Sequence, residues 1–238
     1  MAKQTNLKPG DVITRQQDDG LWSVVKVIAI DLYPDGEATV HSYCYEPTAS
    51  KPELAMLVDQ PVATYHAPID GASLTPEERW EFIDNIPLQK EDFKGFFAYL
   101  KITDFRRYAE ATGQNLDALV AQANELHKQA YAAGTNEAYQ EAIDLYSQAL
   151  EIFPSFHEAL DNRGLTYMDI GDYAAAQRDF DQSLYINPQG LTAFLSKGEC
   201  LLNLGERQKA ARLYQLGMER FPKQVTLFKT YYDEANSA

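Results

Sequence analysis

Residues 157–188 read HEALDNRGLTYMDIGDYAAAQRDFDQSLYINP, and this stretch decides the fold. Leu160, Gly164 and Tyr167 recur at helical spacing, and Gly171-Asp172 breaks the run. Ala176, Phe180 and Ser183 then share one face of a second helix. Pro188 ends the unit, because proline cannot continue a helix. Residues 191–222 copy the pattern with Phe194, Gly198, Leu201, Gly205-Glu206, Ala210, Tyr214, Gly217 and Pro222. Pro154, Pro188 and Pro222 stand 34 residues apart, and a fixed period of this size marks a helical array. The small residues are expected where two helices cross too closely for a larger side chain, with the aromatic residues filling the gaps beside them.

The order Leu-x-x-Arg-Gly-x-x-Tyr, Gly-Asp-Tyr, Ala, Phe, Pro across residues 157–190 resembles the tetratricopeptide repeat family. Residues 191–224 resemble it with Leu201 in place of the tyrosine. A unit ending at Pro154 keeps Ala142, Tyr146 and Ala149 in register, but Gly134 comes three residues early, so a longer inter-helix loop is expected there. Val225 to Tyr232 reads as the start of a capping helix, which a stack of repeats needs to cover its last apolar face. The resemblance implies an α-solenoid of three helix-turn-helix repeats plus a capping helix, with a groove lined mainly by the first helix of each repeat.

Carrying the groove positions over gives Glu158, Asp161, Asn162, Leu165, Met168 and Asp169 in the second unit. The third contributes Thr192, Leu195, Ser196, Glu199, Leu202 and Asn203, and the first Asn124, Glu125, Lys128 and Tyr131. Glu125, Glu158, Asp161, Asn162, Asp169 and Glu199 are the candidate partner-binding residues; the competing reading is that they are ordinary solvated helix faces. Members of the family that grip the C-terminal carboxylates of chaperones present lysine and arginine in the groove. Here Asp161 and Glu199 occupy that region and only Asn162 fits, so a carboxylate-terminated ligand would meet repulsion.

The chain has 238 residues, 35 acidic against 21 basic, and a net charge of −14. Residues 121–188 hold eleven acids and three bases, whereas residues 189–238 carry a net +2. This acidity argues against nucleic acid and anionic membrane as partners, since phosphate recognition needs lysine and arginine. No apolar run is long enough to span a membrane, and the N-terminus lacks the apolar core of a signal peptide. Cys44 and Cys200 fall in different expected domains, so a reduced state in the cytoplasm is the simpler reading.

The expected class is α+β. Residues 1–74 form a small N-terminal domain, 75–118 a helical bridge docked on both sides, and 119–238 the repeat array. In the first segment, strands are expected from Val12, over Leu21–Ile30, over Ala38–Tyr45 and from Pro61, with Lys51–Val58 a loop or a short helix. Val25, Val27 and Ala29 alternate against Lys26, and the turn signals between the strands suggest a curved antiparallel sheet or a barrel. In the bridge, Thr75-Pro76-Glu77-Glu78 reads as a helix start with Trp80 and Ile83 on its apolar face, and the aromatic run from Phe93 to Tyr108 needs burial.

No catalytic, cofactor or metal set emerges. No His-x-x-x-His, Cys-x-x-Cys, glycine-rich phosphate loop or nucleophile elbow occurs. His41 and His66 could meet across the sheet, most simply as a hydrogen-bonded pair. Cys44 lies on the opposite strand face from His41, which argues against a dyad. Lys101, Arg106 and Arg107 are a local basic cluster, with Asp104 and Glu110 at pairing distance along a helix. The leading expectation is a non-enzymatic protein that binds and neutralises a basic toxin or effector. The stretch from Phe97 to Tyr108 and the strand beginning at Pro9 resemble bacterial immunity proteins. A scaffold or adaptor for assembly or secretion is the second reading, and an enzyme using the β domain the third.

Overall fold

The computed structural model describes residues 6–237, which divide between Asp104 and Phe105 into two compact units. The first unit holds β1 (Asp11–Gln16), β2 (Trp22–Leu32), β3 (Ala38–Tyr45), β4 (Val62–Asp70), β5 (Glu81–Asn85) and α1 (Lys94–Thr103). The strands form one antiparallel sheet in the order β4-β3-β2-β1-β5. β4 and β5 end that order, so the sheet is open rather than a barrel. Leu54–Val58 is a short 3-10 helix.

One sheet face buries Ile13, Val25, Val27 and Val40 against Leu74. Cys44 packs on this face, with its thiol pushed up by burial. On the other face, α1 packs on β4 and β3. Phe96 and Tyr99 of α1 lie 4.9 Å and 5.4 Å from the His41 ring. His41 and His66 do meet: His41 Nδ1 is 3.0 Å from His66 Nε2, and His41 Nε2 is 2.9 Å from Asp31. Burial, and then His41, hold His66 below the usual histidine range. Lys26 does not face solvent as strict alternation suggests. It is 3% exposed and ion-paired with Asp92 at 2.8 Å, because α1 and the turn before it cover that face.

The expected helical bridge is corrected over residues 76–85. Pro76–Glu78 is a single 3-10 turn, with proline at its start but no side-chain cap from Thr75. Glu81–Asn85 is a strand paired with β1. Trp80 and Ile83, three residues apart, fit one face of a helix, but over five residues the free backbone edge of β1 decides the conformation.

The second unit holds α2 (Phe105–Thr112), α3 (Leu116–Thr135), α4 (Tyr139–Ile152), α5 (His157–Asp169), α6 (Tyr173–Ile186), α7 (Leu191–Asn203), α8 (Arg207–Arg220) and α9 (Val225–Asn236). Phe105 of α2 stacks on Phe153 at 4.7 Å, so part of the aromatic run is buried against this unit. Asn115 caps α3 by accepting the Ala118 N–H, and Asp172 caps α6 by accepting the Ala175 N–H. Successive helices pack as antiparallel pairs, α3 with α4, α5 with α6 and α7 with α8, and α9 covers α8. A Cβ on Gly164 would stand 2.8 Å from the Phe180 ring, and Gly198 and Gly217 sit as tightly against Tyr214 and Phe228.

Arg163 and Asp179 add a polar clamp. The guanidinium donates two hydrogen bonds to the Asp179 carboxylate, at 2.8 Å and 2.7 Å, and a third to Ser147 of α4 at 2.9 Å. The fork therefore ties α5 to α6 and to the preceding helix pair.

The first inter-helix turn is not longer than the others. α4, α6 and α8 begin at Tyr139, Tyr173 and Arg207, each 34 residues after the last. Glu137, Gly171 and Gly205 occupy the same place in the three turns, with φ of 61°, 81° and 78°. Gly134 lies inside α3 and is not the turn residue. Glu137 therefore holds a left-handed conformation that costs a side-chain-bearing residue about 1–2 kcal/mol. Part of that gain is lost to the flexibility of glycine in the unfolded chain. Glu137→Gly is expected to raise stability by about 1 kcal/mol, read as a higher midpoint in urea titration. Gly164→Leu is expected to abolish the cooperative helical transition, since neither backbone nor ring has room to yield.

Candidate functional site

The candidate surface is the face of α3, α5 and α7, the first helix of each pair. α5 touches α3 on one side and α7 on the other, so residues on these helices share a continuous surface. The sequence places six partner-binding candidates here, and their environments differ.

Glu125 on α3 is exposed and accepts a hydrogen bond from Gln129 at 3.1 Å. Glu158 opens α5, exposed, 3.4 Å from Nδ1 of His157. Asp169 ends α5 and is exposed. Glu199 on α7 is exposed and lines a pocket described below.

Asn162 and Asp161 are not free groove groups. The Asn162 amide donates to Nε2 of His127 at 2.9 Å, across the contact between α5 and α3. His127 is wedged 4.9 Å from the Phe156 ring, and burial holds it below the usual histidine range against the pull of Glu158. An Nε2 that accepts this bond carries no proton. Asp161 is half-buried, and its Oδ1 has no hydrogen-bond partner. Burial, and then Glu158, raise its carboxyl above the usual aspartate range, against the opposing effects of the nearby Ser183 hydroxyl and His157. A helix face assigned from register alone does not reveal how far the neighbouring helix covers it.

A pocket at the α7 end brings together residues that the sequence does not group. It encloses about 350 Å³ between α7, α8 and α9 and is lined by Glu199, Leu202, Asn203, Tyr214, Tyr231 and Glu234. Glu199, Leu202 and Asn203 were assigned to the groove, but Glu234 and Tyr231 belong to the capping helix, where the repeat pattern assigns no groove position. Cys200, one residue from Glu199, is buried in the core with its thiol pushed up to about 12, first by burial and then by Glu199. Both cysteines are free. Among the described residues, no group of three histidine, cysteine, aspartate or glutamate side chains gathers in metal-binding geometry. No helix among them is long and apolar enough to cross a membrane.

Residues 157–189 match the tetratricopeptide repeat family model. A protein SGT1 homolog of Oryza sativa subsp. japonica is 31% identical over 97 residues, which is 41% of this chain and 26% of that protein. The heat-shock protein cognate co-chaperone sgt12 of Aspergillus fumigatus is 28% identical over 110 residues, 46% of this chain and 32% of that protein. The chain thus spans about a third or less of the length of these relatives. The Arabidopsis OM64 TPR domain aligns with a TM-score of 0.46 and 16% identity, covering 50% of this chain and 98% of that domain. The family-model match shows a tetratricopeptide repeat at residues 157–189 of the chain. Nothing in these matches supports the resemblance to bacterial immunity proteins.

The state of Asp161 gives a test with a definite sign. Its folded value lies above its unfolded one, so the folded protein favours the protonated carboxyl. Stability is highest below the ordinary value of 3.8 and is lost as pH rises through the raised value. Asp161→Asn is expected to raise the thermal midpoint at neutral pH, with a gain that shrinks as pH falls towards 3.8. Melting curves recorded across that range check it.

Proposed function

We propose that the chain is a non-enzymatic adaptor that binds an extended segment of a partner protein along the face of α3, α5 and α7. The observation that carries this reading is the tetratricopeptide repeat at residues 157–189, whose first helix, α5, lies between α3 and α7 and carries Glu158 and Asp169 exposed. Relatives include a named co-chaperone, which favours a role in assembly or folding of other proteins over neutralising a toxin.

The charge of the face narrows the partner. Among the candidate residues Glu125, Glu158, Asp169 and Glu199 present exposed carboxylates, and the Asn162 amide is engaged by His127. A segment ending in a carboxylate would be repelled, whereas one bearing lysine or arginine would relieve the mutual repulsion of the face. The complex is therefore electrostatically steered, and its on-rate falls as salt screens the field.

Selection of a peptide display library against the full chain tests this directly. Enriched peptides are expected to be basic, to bind more weakly at high salt, and to lose about tenfold or more in affinity to the Glu158→Lys/Asp169→Lys variant. That variant is expected to keep its helical circular dichroism, because both residues are exposed and such substitutions change stability by about half a kcal/mol. Asp161 is left unchanged, since a lysine there would meet a half-buried site. Enrichment of acidic, carboxylate-ended peptides, or equal binding to the variant, would overturn the reading.

A further inference from the structure

The pocket between α7, α8 and α9 has a property that a merely acidic surface lacks. Tyr214 is fully buried, lines this pocket, and its hydroxyl has no hydrogen-bond partner. A buried polar group left unpaired is costly, and native structures seldom carry one without a reason. Two carboxylates, Glu199 and Glu234, line the same pocket, and no cation pairs with either among the described residues. Arg207, on the neighbouring helix, donates to the backbone carbonyl of Glu234 at 3.4 Å rather than to its carboxylate. The Tyr231 ring stacks on Tyr214 at 5.3 Å, adding an aromatic wall.

These groups have one chemistry in common. A carboxylate pair supplies negative charge from two helices, the hydroxyl oxygen supplies a further acceptor, and an aromatic ring face attracts a cation. An anion would be repelled by both carboxylates, and an apolar group would leave the Tyr214 hydroxyl unpaired.

We propose that this pocket is a cation site that receives a lysine or arginine side chain of the bound partner segment, with Glu199 and Glu234 neutralising the charge and the Tyr214 hydroxyl accepting one of its N–H bonds. The proposal rests on the adaptor reading and adds an anchor to it, at the α7 end of the face. The volume of about 350 Å³ leaves room for a side chain together with water. Tyr231 and Glu234 make the capping helix part of the binding surface as well as a cover for α8.

The test uses the full chain and a fluorescent tetralysine peptide, blocked at both ends, with tetranorleucine and tetraglutamate peptides as controls. Tetralysine is expected to bind saturably and the controls not to bind. Glu199→Gln/Glu234→Gln is expected to weaken tetralysine binding by about tenfold or more. Tyr214→Phe is expected to weaken it by about threefold or more, with a melting midpoint equal to or above that of the unsubstituted chain. Absence of saturable tetralysine binding, or unchanged binding in both variants, overturns the proposal. So does a lower midpoint for Tyr214→Phe, which would show that the hydroxyl has a structural partner. The adaptor reading fails separately, through the display selection and the Glu158 and Asp169 variant.

Discussion

The second unit depends on aromatic rings lying directly on glycine backbones. Phe180 rests on Gly164, Tyr214 on Gly198 and Phe228 on Gly217, at separations that no Cβ could share. Each contact draws two helices together over a wide apolar area, and van der Waals attraction falls off steeply with any gap. The same contact fixes the angle at which each pair leaves for the next, so the candidate face on α3, α5 and α7 follows from it. Arg163 supplements this packing with direction. Its fork on Asp179 satisfies a charge held among helices, and removing Asp179 would leave that half-buried charge without its carboxylate.

The repeat was legible because its constraints are local and recur. Glycine, aromatic and proline at a fixed 34-residue period need no knowledge of distant partners. The first turn was misread because Gly134 looked like the turn residue, whereas the array holds its period and forces Glu137 into the left-handed region. Tertiary packing outweighs the local preference, and the strain is the trace of that contest. In the first unit, four strands were legible from alternation and turn residues. β5 was not, because five residues carry too little periodicity and its conformation comes from the edge of β1. Lys26 shows a related limit: alternation identifies two faces of a strand but not that α1 covers the second.

The candidate site was legible in register but not in state. Glu125, Glu158, Asp169 and Glu199 stand exposed on first helices as the family pattern implies. Asp161 and Asn162 share that register yet are drawn into the contacts of α5 with its neighbours, one losing its hydration and the other its free amide. The face is therefore less uniformly acidic than its sequence, with exposed carboxylates on α3, at the two ends of α5 and on α7.

Tyr214 shows how packing and recognition can be separated at one residue. Tyr146, Phe180 and Tyr214 occupy equivalent places 34 residues apart, and all three are buried. Phe180 fills its place against Gly164 with no hydroxyl, so the helix contact requires the ring alone. The oxygen of Tyr214 lies against Gly198 together with the ring edge and, left unpaired in a buried place, costs about 1–3 kcal/mol. Helix packing offers no return for that cost. The proposed cation site would, because Glu199 and Glu234 line the pocket and a cationic ligand brings the donor that the hydroxyl lacks.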